Sequence, residues 1–471
     1  MKKEKTEFSR ILNTKDVLVI AFGAMIGWGW VVSSGLWIQT GGVIGTAIAF
    51  AIGGIMIFFV GLTYAELTTA MPQCGGEHVF SYRAFGPIGS FVCTWAIILS
   101  YIGVVCYEAV SFPTIIQYLF PNYVKGYMYS IAGFDVYASW VAVGVILSVI
   151  IMVINMIGTK KAAVLQTVLT LVIAGVGLLL AAASAFTGSI DNYEGQVFCS
   201  ETGSIVSSIA RVAVMTPFFF FGFDVIPQAA EEIKVPLKKL GKLMILSIIM
   251  AVGFYTMIVL SVGYVLNKAE IEASMASTGL VTADAMAKAF SNEMMAKVLI
   301  IGGLCGIVTS WNSFLIGGSR AIYAMADSYM LPKVFGKVST KRKTPICAIA
   351  LVGFLSVIAP FFGRVMLVWI VDAANFACCV AYCMVSMSFL VLHRKEPNLK
   401  RPYKVKHYRF VGIMAVALSG AMALLYVIPN SGCTLNVYEW IIVGGWATIG
   451  TSCYLWSRFK YKEKFGSGLH A

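Results

Sequence analysis

Apolar stretches bounded by charges or turn formers recur twelve times along the chain, at 17–38, 42–70, 88–110, 137–158, 163–187, 205–230, 244–266, 296–325, 346–361, 365–392, 410–429 and 438–457. Most reach the roughly 20 residues that a helix needs to cross a bilayer. The pattern therefore predicts an all-α integral membrane protein of twelve transmembrane helices. The run at 346–361 is short enough to need support from its neighbours. Polar tails at 1–16 and 458–471, with a basic loop at 393–409, complete the chain and leave no room for a large soluble domain.

Two runs carry sequences that a spanning helix should not tolerate. The first contains Gly23-Ala24-Met25-Ile26-Gly27-Trp28-Gly29, and glycine is costly inside a helix, so a break is expected near Gly27 to Gly29. The sixth contains Pro217, Phe218 to Phe221, Gly222, Phe223, Asp224 and Pro227, so a second break is expected near Phe220 to Gly222. Close helix packing is the alternative reading of each glycine cluster. Unpaired backbone at membrane depth is tolerated only where it lines a cavity or ligand, and interrupted helices at matching positions of two halves mark a secondary transporter's site. The first and sixth runs do match if 17–187 and 205–392 are two sets of five helices. Five is odd, so the sets enter from opposite sides as a 5+5 inverted repeat, and 393–457 adds a loop and two further helices.

Composition agrees with a life in lipid: of 471 residues, 59% are hydrophobic and 12% charged, against roughly 25% charged in soluble domains. The net charge of +13 first suggests an acidic partner such as a nucleic acid. Its distribution removes that reading. With the amino terminus inside, 28 of the 35 Lys and Arg fall in seven short segments on one side, which is the bias of cytoplasmic loops and forms no single groove. Both termini are expected in the cytoplasm of a cell-membrane protein. The polar first 16 residues and the long first run predict an uncleaved first span. The eleven cysteines do not cluster like metal ligands, although Cys199 and Cys433 both fall in loops placed outside and would permit a disulfide. An embedded enzyme would need an acid, base and nucleophile at membrane depth, yet His78, His393, His407 and His470 all map to cytoplasmic segments. No Walker motif is present, so neither ATP nor any cofactor is indicated. A channel would call for a continuous polar ring, which two broken helices fit less well than alternating access.

Four motifs extend the picture: GAMIGWG at 23–29, YAELTTAMPQCGGEHVFSYRAFG at 64–86, FFFFGFDVIPQAAEEIKVP at 218–236 and LHRKEPNLKRPYKV at 392–405. With them the chain resembles the amino acid permeases of the amino acid, polyamine and organocation superfamily over nearly its whole length. NMIGTK at 155–160 and RAIYAMADSYMLP at 320–332 are weaker matches. The resemblance implies the leucine-transporter type of fold and, as substrate, an amino acid or else a polyamine or small organic amine.

A buried zwitterion needs donors for its carboxylate and acceptors for its ammonium, and broken helices expose both. By resemblance, the N–H groups of Gly27, Trp28 and Gly29 would hold the carboxylate and the carbonyls of Met25, Phe218 and Phe221 the ammonium. Trp28 stands where the family commonly has Ser or Thr, implying either a smaller pocket or different recognition. Ser100, Val104, Phe220, Gly222 and Trp311 complete the expected substrate site, with core packing as the alternative for each aromatic. Ser100 replaces a glutamate found in some cationic amino acid permeases, which argues against lysine or arginine. Intramembrane carboxylates are functional candidates by default; here they are Glu66, Glu108, Asp224 and Asp372. Coupling is left open among a proton on Asp224 or Glu108, Na+ held by the hydroxyls of Thr309, Ser310 and Ser313, and exchange. Interhelical hydrogen bonding is the other reading of those hydroxyls. The lysine that several proton-coupled relatives carry in the fifth helix is absent from 162–187.

Overall fold

A computed structural model describes residues 8–199, 204–429, 431 and 434–467. In chain order the helices are α1 Thr14–Met25, α2 Gly29–Val32, α3 Ser34–Gly41, α4 Val43–Ala70, α5 Glu77–Leu119, α6 Ala138–Ile157, α7 Thr159–Thr187, α8 Ile205–Met215 and α9 Val225–Gln228. They continue as α10 Leu237–Val265, α11 Lys268–Ser277, α12 Val281–Phe290, α13 Glu293–Asp327, α14 Ile346–Ile358, α15 Val365–Lys395, α16 Tyr408–Leu425 and α17 Val437–Tyr461. Among the described residues, ten helical segments are long and apolar enough to cross a membrane, which makes this a multi-pass membrane protein. Two of the twelve expected spans are not among the ten. Ile346–Phe362 is too short, and α17 is long enough but is diluted by Gly444, Gly445, Thr448, Gly450, Thr451 and Ser452.

The bundle centres on α1, which packs against α7, α10 and α13, and on α5, which packs against α13 and α15. Asn13 starts α1 with a capping box: its side chain accepts from the Lys15 and Asp16 amides, and the Asp16 carboxylate accepts from the Asn13 N–H. That satisfies amides which a helix start leaves without partners.

Three features depart from the pattern-based expectation. The third run extends in both directions to Glu77–Leu119, with a kink at Gly86, whose φ of +77° favours glycine. The loop between α5 and α6 forms an antiparallel hairpin, Tyr127–Ile131 with Phe134–Tyr137, closed by Ala132 and Gly133 at φ +48° and +84°, the two positive values that a tight hairpin turn requires. The loop before α13, for which the apolar pattern offered no element, folds into α11 and α12. The Cys199–Cys433 pairing falls on Cys433, which lies outside the described residues.

Candidate functional site

Both glycine-rich breaks are present. The α1 helix stops at Met25 and α2 resumes at Gly29, leaving Ile26 to Trp28 non-helical. Beyond α8, a tight turn at Thr216–Phe220 gives way to an extended Phe221, and α9 restarts at Val225. The second break therefore lies slightly later than Phe220 to Gly222. The two breaks touch: Gly222 has φ +130°, and a Cβ there would lie 2.6 Å from the Ala24 Cβ and 3.0 Å from the Met25 nitrogen. Only a residue without a side chain allows that approach.

Asp224 organises the second break. Its Oδ1 accepts from the Gly222 N–H at 2.8 Å and the Tyr382 hydroxyl at 3.0 Å, and its Oδ2 from the Tyr101 hydroxyl at 2.7 Å. Three donors on one fully buried carboxylate tie α9 to α5 and α15.

Between the breaks lies a cavity of about 90 Å³ walled by Met25, Gly27, Trp28, Gly29, Val104, Glu108, Phe218, Phe221 and Ser310. These sequence candidates converge there. Ala24, Ser33, Tyr107, Phe219, Tyr255 and Phe314 also line it and were not among them. Phe219 adjoined the glycine motif and Tyr107 adjoined Glu108, so both had a local signal; Tyr255 had none, because only packing brings α10 to α1. The Trp28 indole finds room in α13, where a Cβ on Gly303 would lie 2.5 Å from its Cε3. Glu108 reaches the first break, since a Cβ on Gly27 would sit 3.2 Å from its Oε1. Glu108 Oε2 is buried with no hydrogen-bond partner among the described residues.

Other candidates lie outside this wall. The Trp311 Nε1 donates to the Ser356 hydroxyl at 3.1 Å, turning the ring toward α14. Phe220 packs on Phe50 and Tyr255, with ring centroids 5.8 and 5.9 Å away. Ser100 faces Cys378 of α15, Gly222 faces Ala24, and Asp224 faces its tyrosines. The Thr309 and Ser313 hydroxyls donate to the carbonyls of Gly306 at 2.9 Å and Ile20 at 3.2 Å. Beside them runs a chain of amides: Asn155 Nδ2 donates to the Ile151 carbonyl and to Asn312 Oδ1, and Asn312 Nδ2 donates to the Ala162 carbonyl and to Gln166 Oε1. Carbonyls only accept, so the chain has one direction, and it leaves Gln166 Nε2 pointing at Gly23.

At the end of the bundle that carries the basic segments, the chain before α1 is bound to the chain after α9. Ile11 and Leu12 N–H groups both donate to the Glu232 carbonyl at 2.9 Å, and Lys234 N–H donates to the Leu12 carbonyl. The buried Arg320 Nε meets Glu232 Oε1 at 2.9 Å. Glu66 instead anchors the 393–409 loop, with Oε1 2.9 Å from Arg401 Nε and 2.7 Å from His393 Nε2, and Oε2 accepting from the Val405 N–H at 2.7 Å. Arg83 pairs with Glu396 of the same loop. Asp372 is half-buried on α15 with Glu439 of α17 nearby.

A bundle of apolar helices, two of them interrupted around a small cavity, is the arrangement of a membrane transport protein. Residues 12–450 match the amino acid permease family, and the chain belongs to that family, within the amino acid, polyamine and organocation superfamily. It is 25% identical to the methylthioribose transporter of Bacillus subtilis over 96% of this chain and 94% of that one. It is 26% identical to the branched-chain amino acid permease BcaP of the same organism, covering 92% and 91%, and 25% identical to its serine/threonine exchanger SteT, covering 86% and 89%. Transport of amino acids is the activity of the family.

Proposed function

We propose that this protein is a secondary active transporter of the cell membrane that moves a small amino acid by alternating access, with the substrate held at the unwound segments of the first and sixth spans. The observation carrying this reading is the cavity bounded on both sides by the breaks. At the non-helical backbone of the two breaks, the N–H groups of Gly27, Trp28 and Gly29 and the carbonyl of Phe221 have no backbone partner among the described residues and are open to a zwitterion, as helix ends are. A single water needs roughly 10–15 Å³, so about 90 Å³ admits a few heavy atoms. Small amino acids fit that volume better than large ones.

In this reading the chain has twelve spans, a 5+5 inverted repeat over 17–187 and 205–392, and both termini in the cytoplasm, as the basic residues suggest. Gly27, Trp28 and Gly29 hold the carboxylate. Glu108 takes the ammonium or a coupled proton, and Phe218, Phe221 and Val104 shape the side-chain space. One observation favours a second substrate class: Glu108 presents an unpartnered carboxylate oxygen beside the cavity, as a small organic amine would require. The relatives include transporters named for quite different solutes.

Proteoliposomes offered a labelled panel of amino acids, putrescine and ethanolamine, with and without sodium and with an imposed pH gradient, test both readings. Uptake of a small neutral amino acid competed by its analogues is the expected result. Competition by amines alone overturns the carboxylate role of Gly27 to Gly29, and single-channel currents from the purified protein overturn the transporter.

A further inference from the structure

Away from the central cavity, α5, α15 and α17 enclose a groove of about 390 Å³. Its floor is a pair of tryptophans, one from α5 and one from α17. Trp95 and Trp446 stack with centroids 4.3 Å apart and planes 13° from parallel, and each indole N–H donates to the other's backbone carbonyl at 2.8 Å. With both N–H groups satisfied, the rings present hydrocarbon faces only. Phe91, Phe376 and Val443 extend the apolar wall. Polar character is confined to one end, where Thr451, Tyr454 and Arg458 line the groove. Arg458 is exposed, donates to the Tyr454 hydroxyl at 3.3 Å, and has no carboxylate partner among the described residues. Lys460, Lys462 and Lys464 follow it, against the single acid Glu463.

We propose that this groove is a binding site for one anionic phospholipid, with an acyl chain over the Trp95–Trp446 floor and the phosphate on Arg458. The length fits. From Arg458 to Val443 is 15 residues, about 22 Å at roughly 1.5 Å per residue, whereas one leaflet of a hydrocarbon core about 30 Å thick is about 15 Å deep. The chain of a lipid whose headgroup lies at Arg458 therefore stays within the groove. A guanidinium presents two parallel donors to a phosphate, and the surplus of lysines at this end favours a headgroup of net negative charge over a zwitterionic one. The proposal requires α17 to lie in the membrane, but it is independent of which solute the transporter carries.

The test compares wild type, Arg458→Gln and Ala447→Trp, the last filling the groove while keeping the arginine. Each is purified in mild detergent, examined by native mass spectrometry for retained lipid, and melted with added dioleoyl-phosphatidylglycerol or dioleoyl-phosphatidylethanolamine. Wild type should retain one more phosphatidylglycerol per chain than either variant. It alone should gain melting temperature with phosphatidylglycerol, and no protein should gain with phosphatidylethanolamine. Equal retention by all three, an equal gain with both lipids, or a wild-type dimer that Ala447→Trp dissociates would overturn the assignment; the last outcome would make the groove a contact between two copies. Substrate uptake by Arg458→Gln in native-lipid vesicles reports folding separately.

Discussion

The Tyr255 hydroxyl donates to the Met25 carbonyl at 3.0 Å, so α10 occupies a lone pair at the point where α1 breaks. Met25 is one of the carbonyls assigned above to the substrate ammonium, and it has one lone pair left to offer. Tyr255→Phe should leave melting nearly unchanged and alter KM more than kcat. A neutral hydrogen bond contributes about 1 kcal/mol net, so the expected change in KM is about fivefold. Unchanged KM and kcat would show that the hydroxyl does not shape the site.

Glu108 carries the strongest functional expectation. A buried carboxylate oxygen without a partner costs stability, so Glu108→Gln should melt no lower than wild type while losing at least tenfold in uptake. If Glu108 also carries the coupled proton, an inside-alkaline gradient will drive accumulation by wild type and not by the variant. Gradient-driven accumulation that survives in Glu108→Gln would exclude it as the proton carrier.

Asp224 is expected to behave differently, because its two oxygens already accept three donors. Asp224→Asn replaces one accepting oxygen with an amide that donates, so the three donors of Gly222, Tyr101 and Tyr382 no longer all find an acceptor there, at a cost of about 1–3 kcal/mol for one left unpaired. Chemical denaturation in detergent should show that loss, with a smaller one for Tyr382→Phe. The pH dependence of residual uptake should be unaltered; its disappearance would return Asp224 to the coupling machinery.

If the basic end of the bundle faces the cytoplasm, as proposed, the buried Arg320–Glu232 pair should hold that end together. Removing one partner of a buried ion pair leaves an uncompensated charge, at about 3–5 kcal/mol, so Glu232→Gln should melt lower. Cys74 is buried beside this pair and its N–H donates to Glu231 Oε1. Maleimide labelling of Cys74 in inside-out vesicles should accelerate in the variant, and an unchanged labelling rate would separate the pair from the gate.

Uptake is expected to be equal in sodium and in choline. The one-way amide chain from Asn155 through Asn312 leaves Gln166 presenting an N–H toward α1, next to the hydroxyls of Thr309 and Ser313, and a donor repels a cation. Thr309→Ala and Ser313→Ala should then lower uptake through packing alone, by the same factor in both buffers. A selective loss in sodium would refute this.

Much of the molecule could be read from residue order. Spans, breaks and the uneven distribution of Lys and Arg are all local in sequence, since membrane insertion responds to runs of apolar residues and to the charges flanking them. The helix at 437–461 was anticipated although glycine and threonine dilute it. The hairpin at 127–137 was missed because its strands are short and lie outside the apolar runs. Gly27 stands out because glycines cluster at 23–29, and Glu108 because acids inside a membrane span are rare.

Which nominated side chains meet was a different matter. Phe220 and Asp224 lie at the second break in sequence and Trp311 on α13, which packs on α1, yet Phe220 turns toward α4 and α10, Asp224 toward α5 and α15, and Trp311 toward α14. The sequence alone determined that this chain would cross the membrane many times and interrupt two crossings, because backbone propensity and hydropathy act over a few residues. Only the tertiary structure decided that Glu108 would reach Gly27 while Asp224 would not enter the cavity, because a helix commits each side chain to one face and the packing of its neighbours selects what that face meets.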